Sequence, residues 1–332
     1  MTKRKRVIYA TKDKLEKVNP KNKAYYKAYR NSRISANSDM KNTTYKTYQS
    51  FFNHFLVYLM EHWDNLDLYS EEFQLMAVDI MEGFMVFCQT ELGNNKKVIN
   101  TKLSAVSSFF HWSVRRGRVD HHPFDGKLER VQGANDEKII AEHFLTQKEV
   151  NKITRTLAKR EDGYDIIDQL IWGIMMDSAN RVGAVSKLTI SSLDLENMKF
   201  NNIREKRGKL VEVVFNKGTK KIIEEWLEMR KDMDNLEVDA FFVSYYGGEY
   251  RPMAVTTLQE RIKRIGLILG ITDFRSHSIR KTSLNLIFEM TNNLALTAQM
   301  ANHKSVETTQ QSYIKPQSKT ELRDEINRMR NK

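Results

Sequence analysis

The sequence predicts a two-domain, mostly α-helical protein, in which an all-α domain precedes an α+β domain with a small antiparallel sheet. The length of 332 residues is enough for two domains that each bury a core of their own. Apolar residues recur at a helical period along most of the chain, and two short strand-like runs lie near residues 197–204 and 209–216. The polar segment 129–143 lacks such a period, which is typical of an interdomain linker.

Three helices are predicted in the first domain, residues 37–128. They span about 40–62, 70–92 and 95–116. Gly93-Asn94-Asn95 predicts a turn before the third helix, with Asn94 or Asn95 as its cap. The same helix ends in a cluster of arginines, where positive charge complements the helix dipole and can also meet phosphates.

The second domain, residues 144–332, is predicted to combine helices with one pair of strands. An Arg207-Gly208 turn joins the two strand-like runs into a hairpin. Helices are predicted at 146–160, 164–179, 219–232, 253–269, 277–290, 294–301 and 305–314. A last amphipathic segment, Thr320 to Met329, follows Pro316.

Positive charge is concentrated at the N-terminus. The net charge of +12 and the pI near 9.5 favour a polyanionic partner. Residues 1–36 contain twelve Lys or Arg and two acidic residues, a net of +10, which leaves about +2 for the rest of the chain. We predict that residues 1–36 form a basic arm that is helical in part on DNA and disordered without it; a solubilising tail is the alternative. Candidate DNA-binding residues are Lys3, Arg4, Lys5, Arg6, Lys96, Lys97, Lys102, Arg115 and Arg116.

Several classes of protein are excluded by composition. The single cysteine, Cys88, allows neither an internal disulfide nor a cysteine-rich zinc site, and a buried apolar role is expected for it. No HExxH or comparable metal spacing is present, so we expect neither a metal nor another cofactor. No apolar run approaches the ~20 residues that span a bilayer, and no apolar stretch of a secretion signal follows the basic N-terminus. We therefore expect a protein of a reducing cytoplasm with no membrane partner.

An ordered set of polar residues predicts a pocket for a phosphodiester. This phosphate pocket consists of Arg181, His277, Arg280, His303 and Tyr313. Arginine supplies a planar fork of donors that matches phosphate oxygens, and histidine adds a donor whose charge is tunable. His277 and Arg280 lie three apart at a predicted helix start, which favours an anion. The structural alternatives are that Arg181 pairs with an acid such as Asp177 and that Tyr313 packs into a core.

These motifs resemble those of the tyrosine recombinase (phage integrase) family. The segment 178–188 around Arg181 resembles the first-arginine segment of the family, and 277–280 matches its H-x-x-R box. The segment 303–310 resembles the third box, and its separation from the second box equals the common spacing of the family. The joint order and spacing of these motifs is a much stronger signal than any one of them.

The resemblance covers most of the chain. Residues 43–59 and 100–112 resemble the opening and closing helices of the SAM-like core-binding domain, and 144–150 resembles the usual entry to the catalytic domain. The resemblance implies double-stranded DNA as the partner and possible self-association, in which the C-terminal helix packs onto a neighbouring subunit. It also places the protein in a bacterial host cell, associated with the nucleoid.

The resemblance further implies how DNA cleavage would run. Tyr313 would attack a DNA phosphate and form a 3′-phosphotyrosyl link, while Arg181, His277, Arg280 and His303 would offset the charge that develops on the phosphate. Lys206, on the turn between the two strands, would protonate the leaving 5′ oxygen, with Lys209 as the alternative. No metal is required in this chemistry.

Two departures from the family pattern bear on cleavage. Tyr313 stands ten positions after His303, whereas the family places its nucleophile nine positions after, where this chain has Ser312. In a regular helix, one residue rotates a side chain by roughly 100° and shifts it by about 1.5 Å, and a displacement of about 1 Å can lower a rate by roughly 10²-fold. The acidic residue usual three positions after the first arginine is Ala184 here.

Three interpretations follow. The departures favour a sequence-specific DNA-binding protein that keeps the recombinase fold and the phosphate pocket, lacks cleavage and acts as a transcriptional regulator. The whole chain resembles an integrase-fold repressor of a temperate phage or prophage, and the resemblance implies that role. The first alternative is an active site-specific recombinase in which a bulge brings Tyr313 back into line. The second alternative is a basic nucleic-acid packaging protein whose motif matches are accidental.

Overall fold

The computed structural model describes residues 8–36, 44–133, 144–205, 209–233, 238–302 and 306–313, together with residues 323 and 327. The chain divides into two compact units, one that ends at Ala141 and one that begins at Glu142. This division falls inside the segment 129–143. The elements are mostly helices, with two small antiparallel sheets, which confirms the predicted fold class.

Five helices form the described part of the first unit. They are α1 (Lys12–Lys17), α2 (Pro20–Ala36), α3 (Thr44–His62), α4 (Glu71–Thr90) and α5 (Lys96–Arg115). Asn95 caps α5, since its side chain accepts a hydrogen bond of 2.9 Å from the backbone N–H of Val98. Apolar residues spaced by three and four positions turn one side of each long helix inward, and phenylalanines dominate the core that they share.

Helix α2 corrects the prediction of a separate basic arm over residues 1–36. Tyr26 is 6% exposed and stacks on Phe52 at 4.1 Å between ring centroids, and Tyr29 is 3% exposed and contacts Phe109 edge-on at 5.8 Å. Asn22 is buried as well. Its side chain donates to the carbonyl of Leu66 at 2.7 Å and accepts from the N–H of Leu68 at 2.9 Å. The described part of this segment therefore belongs to the core of the first unit, and its cations occupy the outer side of a packed helix.

The second unit buries one face of a three-stranded antiparallel sheet in its core, since buried and more exposed residues alternate along the strands. The sheet order is β1-β2-β3, formed by β1 (Leu193–Asp194), β2 (Lys199–Arg204) and β3 (Leu210–Val214). A separate hairpin consists of β4 (Val243–Tyr246) and β5 (Glu249–Pro252). The helices are α6 (Gln147–Lys159), α7 (Ile166–Ser178), α8 (Val182–Val185), α9 (Lys217–Lys231), α10 (Val255–Gly266), α11 (Ser276–Thr291), α12 (Leu294–Met300) and α13 (Val306–Tyr313).

Most of these elements lie close to their predicted bounds, but the hairpin β4–β5 was not predicted. Gly247 and Gly248 both have positive φ, of 64° and 87°, and they form the two-residue turn that joins the strands. The Gly-Gly pair after an aromatic run is the sequence signal that would have indicated it. No helix within the described ranges combines the length and the apolar character needed to cross a membrane.

Candidate functional site

Arg181 lies where the chain turns from α7 into the short helix α8. Helix α7 ends at Ser178, and Ala179 adopts a left-handed conformation with φ of 52°, which redirects the backbone and places Arg181 directly before α8. The Nη1 of Arg181 donates to Oε2 of Glu205 at 2.9 Å. The arginine side chain is 39% exposed, whereas that of Glu205 is 5% exposed. The guanidinium therefore lies between a buried carboxylate and solvent.

Glu205 was not identified from the sequence. Its backbone N–H donates to the carbonyl of Lys209 at 2.7 Å, directly beyond the paired ends of β2 and β3. Ala184, at the position where the family usually has an acid, is buried, so Glu205 provides from another element the carboxylate that this position lacks. Its signal in the sequence was weak, because an acid at a strand end is 24 positions from Arg181.

Asp177, the acid that sequence analysis proposed for Arg181, has other partners. Its carboxylate accepts from the backbone and side chain of Asn216 at 3.0 and 2.7 Å and from the Thr219 hydroxyl at 2.6 Å. It therefore holds the start of α9. Burial raises the pKa of this carboxyl above its ordinary value, although these hydrogen bonds oppose the shift.

Arg280, on the second turn of α11, is fully buried. One terminal nitrogen donates to the carbonyl of Ala179 and the other to the carbonyl of Ala301. These two carbonyls belong to the C-terminal caps of α7 and α12. A cation at this point satisfies carbonyls that have no intrahelical partner and complements the negative ends of both helix dipoles.

Asn302 joins the same cluster. It has a left-handed backbone with φ of 54°, a conformation that asparagine tolerates better than most residues. Its side chain donates to Asn180 at 3.2 Å, and Asn180 in turn donates to the carbonyl of Glu212 at 3.0 Å. The Nζ of Lys209 donates to the Asn302 carbonyl at 3.1 Å. The fold thus brings together the segments around Arg181, Arg280 and Asn302.

The remaining residues of the phosphate pocket are described only in part. His277 is exposed on the first turn of α11. Lys206 and His303 lie outside the described residues, and Tyr313 is the last residue of α13, with a side chain that also falls outside them. Because residues 303–305 are not described either, the misalignment of Tyr313 stays a prediction.

The candidate DNA-binding residues of the first unit divide into exposed and buried ones. Lys96 and Lys97 are exposed at the start of α5, and Arg115 and Arg116 are exposed at its end. The candidates Lys3, Arg4, Lys5 and Arg6 lie outside the described residues, as does the C-terminal segment apart from residues 323 and 327.

The prediction that Lys102 binds DNA is wrong. It is 1% exposed, and its Nζ lies 3.4 Å from the Sγ of Cys88 and 5.9 and 5.8 Å from the ring centroids of Phe51 and Phe84. Burial lowers the pKa of this lysine, and the Cys88 thiol opposes the shift. A side chain enclosed in this way is unable to reach a DNA phosphate.

Within the described ranges, no group of three or more His, Cys, Asp or Glu side chains is arranged to hold a metal ion. The site consists instead of hydrogen-bond donors and one buried carboxylate, Glu205.

Residues 143–320, more than half of the chain, match the model of the phage integrase family. The protein therefore belongs to the phage integrase family, as the motifs predicted. The interpretation in which the motif matches are accidental is wrong.

Two tyrosine recombinases are similar to this chain in sequence. The chain is 26% identical over 295 residues to the tyrosine recombinase XerA of Saccharolobus solfataricus, which is 88% of either protein. It is 25% identical over 218 residues to the tyrosine recombinase XerC of Pseudomonas fluorescens, which is 66% of this chain and 69% of the relative.

Solved structures share the fold at low sequence identity. The Tn1549 transposon integrase in complex with transposon right end DNA has a TM-score of 0.68 and 14% identity, with 93% of this chain and 98% of that chain covered. XerH bound to palindromic difH substrate has a TM-score of 0.66 and 17% identity, with 85% and 78% covered. The lambda integrase dimer bound to a COC′ core site has a TM-score of 0.62 and 14% identity, with 87% and 94% covered.

Proposed function

We propose that this protein is a sequence-specific double-stranded DNA-binding regulator that keeps the tyrosine recombinase fold without cutting DNA. It acts as a transcriptional repressor in a temperate phage or prophage. The observation that carries the proposal is the environment of Arg280, which is 0% exposed and donates one N–H from each terminal nitrogen to a backbone carbonyl.

Cleavage by a recombinase requires arginines that present N–H groups to the scissile phosphate, where charge develops in the transition state. The terminal nitrogens of Arg280 are directed instead at the ends of α7 and α12. Each terminal nitrogen carries a second N–H, but turning the two N–H groups that are bound toward DNA would break two charge-assisted hydrogen bonds, each worth about 1.5–3 kcal/mol, and leave the carbonyls of Ala179 and Ala301 without that partner. Arg280 is therefore a structural link between two helix ends.

The contact between Arg181 and Glu205 supports the same conclusion. A buried carboxylate at 2.9 Å offsets the charge of the arginine that the family directs at phosphate. Arg181, Arg280 and Glu205 together carry a net charge of +1 rather than the +2 of the two arginines alone, which lowers the stabilisation that the site can give a pentacoordinate phosphate.

DNA binding itself is supported by the cations on α5 and by the relatives. Helix α5 has 20 residues and carries exposed lysines at its start and exposed arginines at its end. At 1.5 Å per residue this helix is about 30 Å long, so cations at its two ends can reach phosphates on either side of a major groove. XerH and the lambda and Tn1549 integrases, which share the fold, were each solved bound to DNA.

The second candidate function is active site-specific recombination through a 3′-phosphotyrosyl intermediate. The observation that favours it is the match to the tyrosine recombinase XerA, which covers 88% of both proteins. In this function Tyr313 would be the nucleophile and Lys206 the acid.

A covalent-trapping experiment separates the two functions. Duplexes enriched from a random-sequence library by binding to the protein would define the recognised site, and a nick at each position across it would give a set of suicide substrates. We expect specific binding but no SDS-resistant complex with any of them. We also expect Tyr313→Phe to leave the dissociation constant unchanged.

A covalent protein–DNA complex would identify the second function instead. An SDS-resistant complex that forms with the unaltered protein and disappears with Tyr313→Phe would identify an active recombinase. Binding without preference for any duplex would contradict the regulator and the recombinase alike.

A further inference from the structure

We propose that Glu205 is an affinity-determining residue: its carboxylate offsets the positive charge of Arg181 and thereby lowers the affinity of the protein for DNA. This inference rests on the proposed function, because it concerns equilibrium binding at the same site. It assigns a role to Glu205, for which the resemblance to the family implied none.

The geometry puts the carboxylate on the protein side of the guanidinium. Oε2 of Glu205 accepts from Nη1 of Arg181 at 2.9 Å, and only one of the terminal nitrogens makes this contact. With 39% of its side chain exposed, Arg181 keeps an edge that an incoming phosphate can reach. A phosphate on that edge would share the guanidinium with the buried carboxylate.

Glu205 is held firmly in this position. Its backbone N–H donates to the Lys209 carbonyl at 2.7 Å, and the carbonyl of the preceding residue, Arg204, accepts from Nζ of Lys187 at 2.9 Å. The residue is 6% exposed, so the carboxylate could turn into solvent only if the backbone around it moved. Its negative charge therefore remains next to Arg181 in the bound state.

Glu205 is expected to lower the electrostatic contribution of Arg181 to DNA binding. Arg181 paired with Glu205 has almost no net charge, so a phosphate gains little there and releases few counterions. Without the carboxylate, Arg181 would neutralise about one further phosphate, which corresponds to a change of about 0.9 in the slope of log K against log[salt] for duplex DNA.

Glu205→Gln tests this prediction, because the amide keeps the size of the side chain and an oxygen that can accept from Arg181. The matched control is Glu212→Gln, which removes the same charge from the same sheet. Glu212 is 56% exposed at its side chain and pairs with Lys199 at 2.6 Å rather than with Arg181. Binding of each variant to a duplex enriched from a random-sequence library would be followed by fluorescence anisotropy over a range of NaCl concentrations.

We expect Glu205→Gln to bind about tenfold more tightly near 0.1 M salt and to show a slope steeper by about 0.9. Glu212→Gln should change the affinity by less than about twofold, because its charge is exposed and screened. In an Arg181→Ala background, Glu205→Gln should bring no gain, since the cation that it releases is absent.

Equal gains in DNA affinity from Glu205→Gln and Glu212→Gln would overturn the proposal, because the net charge of the protein would then explain the gain without a contact to Arg181. A loss of affinity in Glu205→Gln would also overturn it and would make the carboxylate a group that orients Arg181 toward DNA. Should Glu205→Gln not fold, as judged by thermal unfolding, Glu205→Ala is measured against Glu212→Ala by the same criteria. Fluorescence anisotropy measures DNA binding and does not depend on cleavage. A covalent adduct in the trapping experiment would therefore contradict the proposed regulator but not the role of Glu205. Conversely, an unchanged affinity of Glu205→Gln would contradict the role of Glu205 but not the proposed regulator.

Discussion

At the scale of single residues, Lys102 shows how strongly the environment decides what a cation does. Lys97 is exposed, whereas Lys102, five positions later on the same helix, is buried against Cys88 between two phenylalanines. A buried ammonium with a thiol as its neighbour pays a desolvation penalty that the contact offsets only in part.

We therefore expect Lys102→Met to raise the free energy of unfolding by about 1 kcal/mol and to leave DNA affinity unchanged. Urea denaturation and fluorescence anisotropy would measure the two quantities. The control Lys97→Met should do the reverse, with unchanged stability and weaker binding. Weaker DNA binding by Lys102→Met would show that the lysine reaches DNA after all.

The same residue predicts a dependence on pH. Burial lowers the pKa of Lys102 in the folded protein, so in the window below the ordinary lysine value of about 10.4 the unfolded chain binds more protons than the folded one. Stability attributable to Lys102 therefore rises with pH through that window. The stability difference between Lys102→Met and the unaltered protein should shrink as pH approaches about 10.4, and a difference that stays constant would contradict the burial of a charged group.

At the scale of elements, α6 depends on a local device at its start. The Thr146 hydroxyl accepts from the N–H of Glu149 at 3.3 Å, and the Glu149 carboxylate accepts from the N–H of Thr146 at 2.8 Å. These two bonds satisfy backbone donors that have no partner in the helix. Hydrogen bonds from the Thr146 backbone and side chain hold the pKa of Glu149 below its ordinary value.

We expect Thr146→Ala to lower the free energy of unfolding by about 1 kcal/mol, measured as a lower unfolding temperature of the second unit. The contribution of Glu149 is complete above its ordinary pKa of about 4.3 and is lost as pH falls through the lowered value. Thr101→Ala, measured as the unfolding temperature of the first unit, is the matched control, because among the described residues its hydroxyl donates to the Lys97 carbonyl inside α5 and caps no helix start. Equal losses in the two variants would exclude a special role of the cap.

The elements themselves were largely predictable, because each follows from local spacing. The helix predicted at 95–116 spans Lys96–Arg115 with Asn95 as its cap, and the helix predicted at 277–290 spans Ser276–Thr291. The hairpin β4–β5 was missed because its outer positions carry Tyr245 and Tyr246, both exposed, so the apolar alternation that marks a half-buried strand is absent.

At the scale of the whole molecule, α2 couples the basic N-terminal segment to the stability of the first unit. Removal of residues 1–36 would take Tyr26 and Tyr29 out of the aromatic core and expose Phe52 and Phe109, which they cover. Burial of one large side chain contributes about 1.5–3 kcal/mol, so loss of two is comparable to a large part of the stability of a domain.

We therefore expect deletion of residues 1–36 to abolish cooperative unfolding of the first unit, as followed by near-UV circular dichroism and calorimetry. Deletion of residues 1–7 alone should lower DNA affinity, because it removes four cations, and it leaves the contacts of Tyr26 and Tyr29 in place. If the first unit unfolds cooperatively without residues 1–36, the prediction that these residues form a separate basic arm would be right.

The sequence by itself determined the family, the mostly helical fold, the helix bounds and the surplus of positive charge, because periodicity, motif spacing and composition are properties of the amino-acid sequence alone. Only the tertiary structure decided what the charged groups do. It turned Arg280 toward the carbonyls of Ala179 and Ala301, paired Arg181 with Glu205 and enclosed Lys102. The physical reason is that the partner of a charge is set by packing between segments distant in sequence, whereas local spacing specifies only which side of a helix is buried.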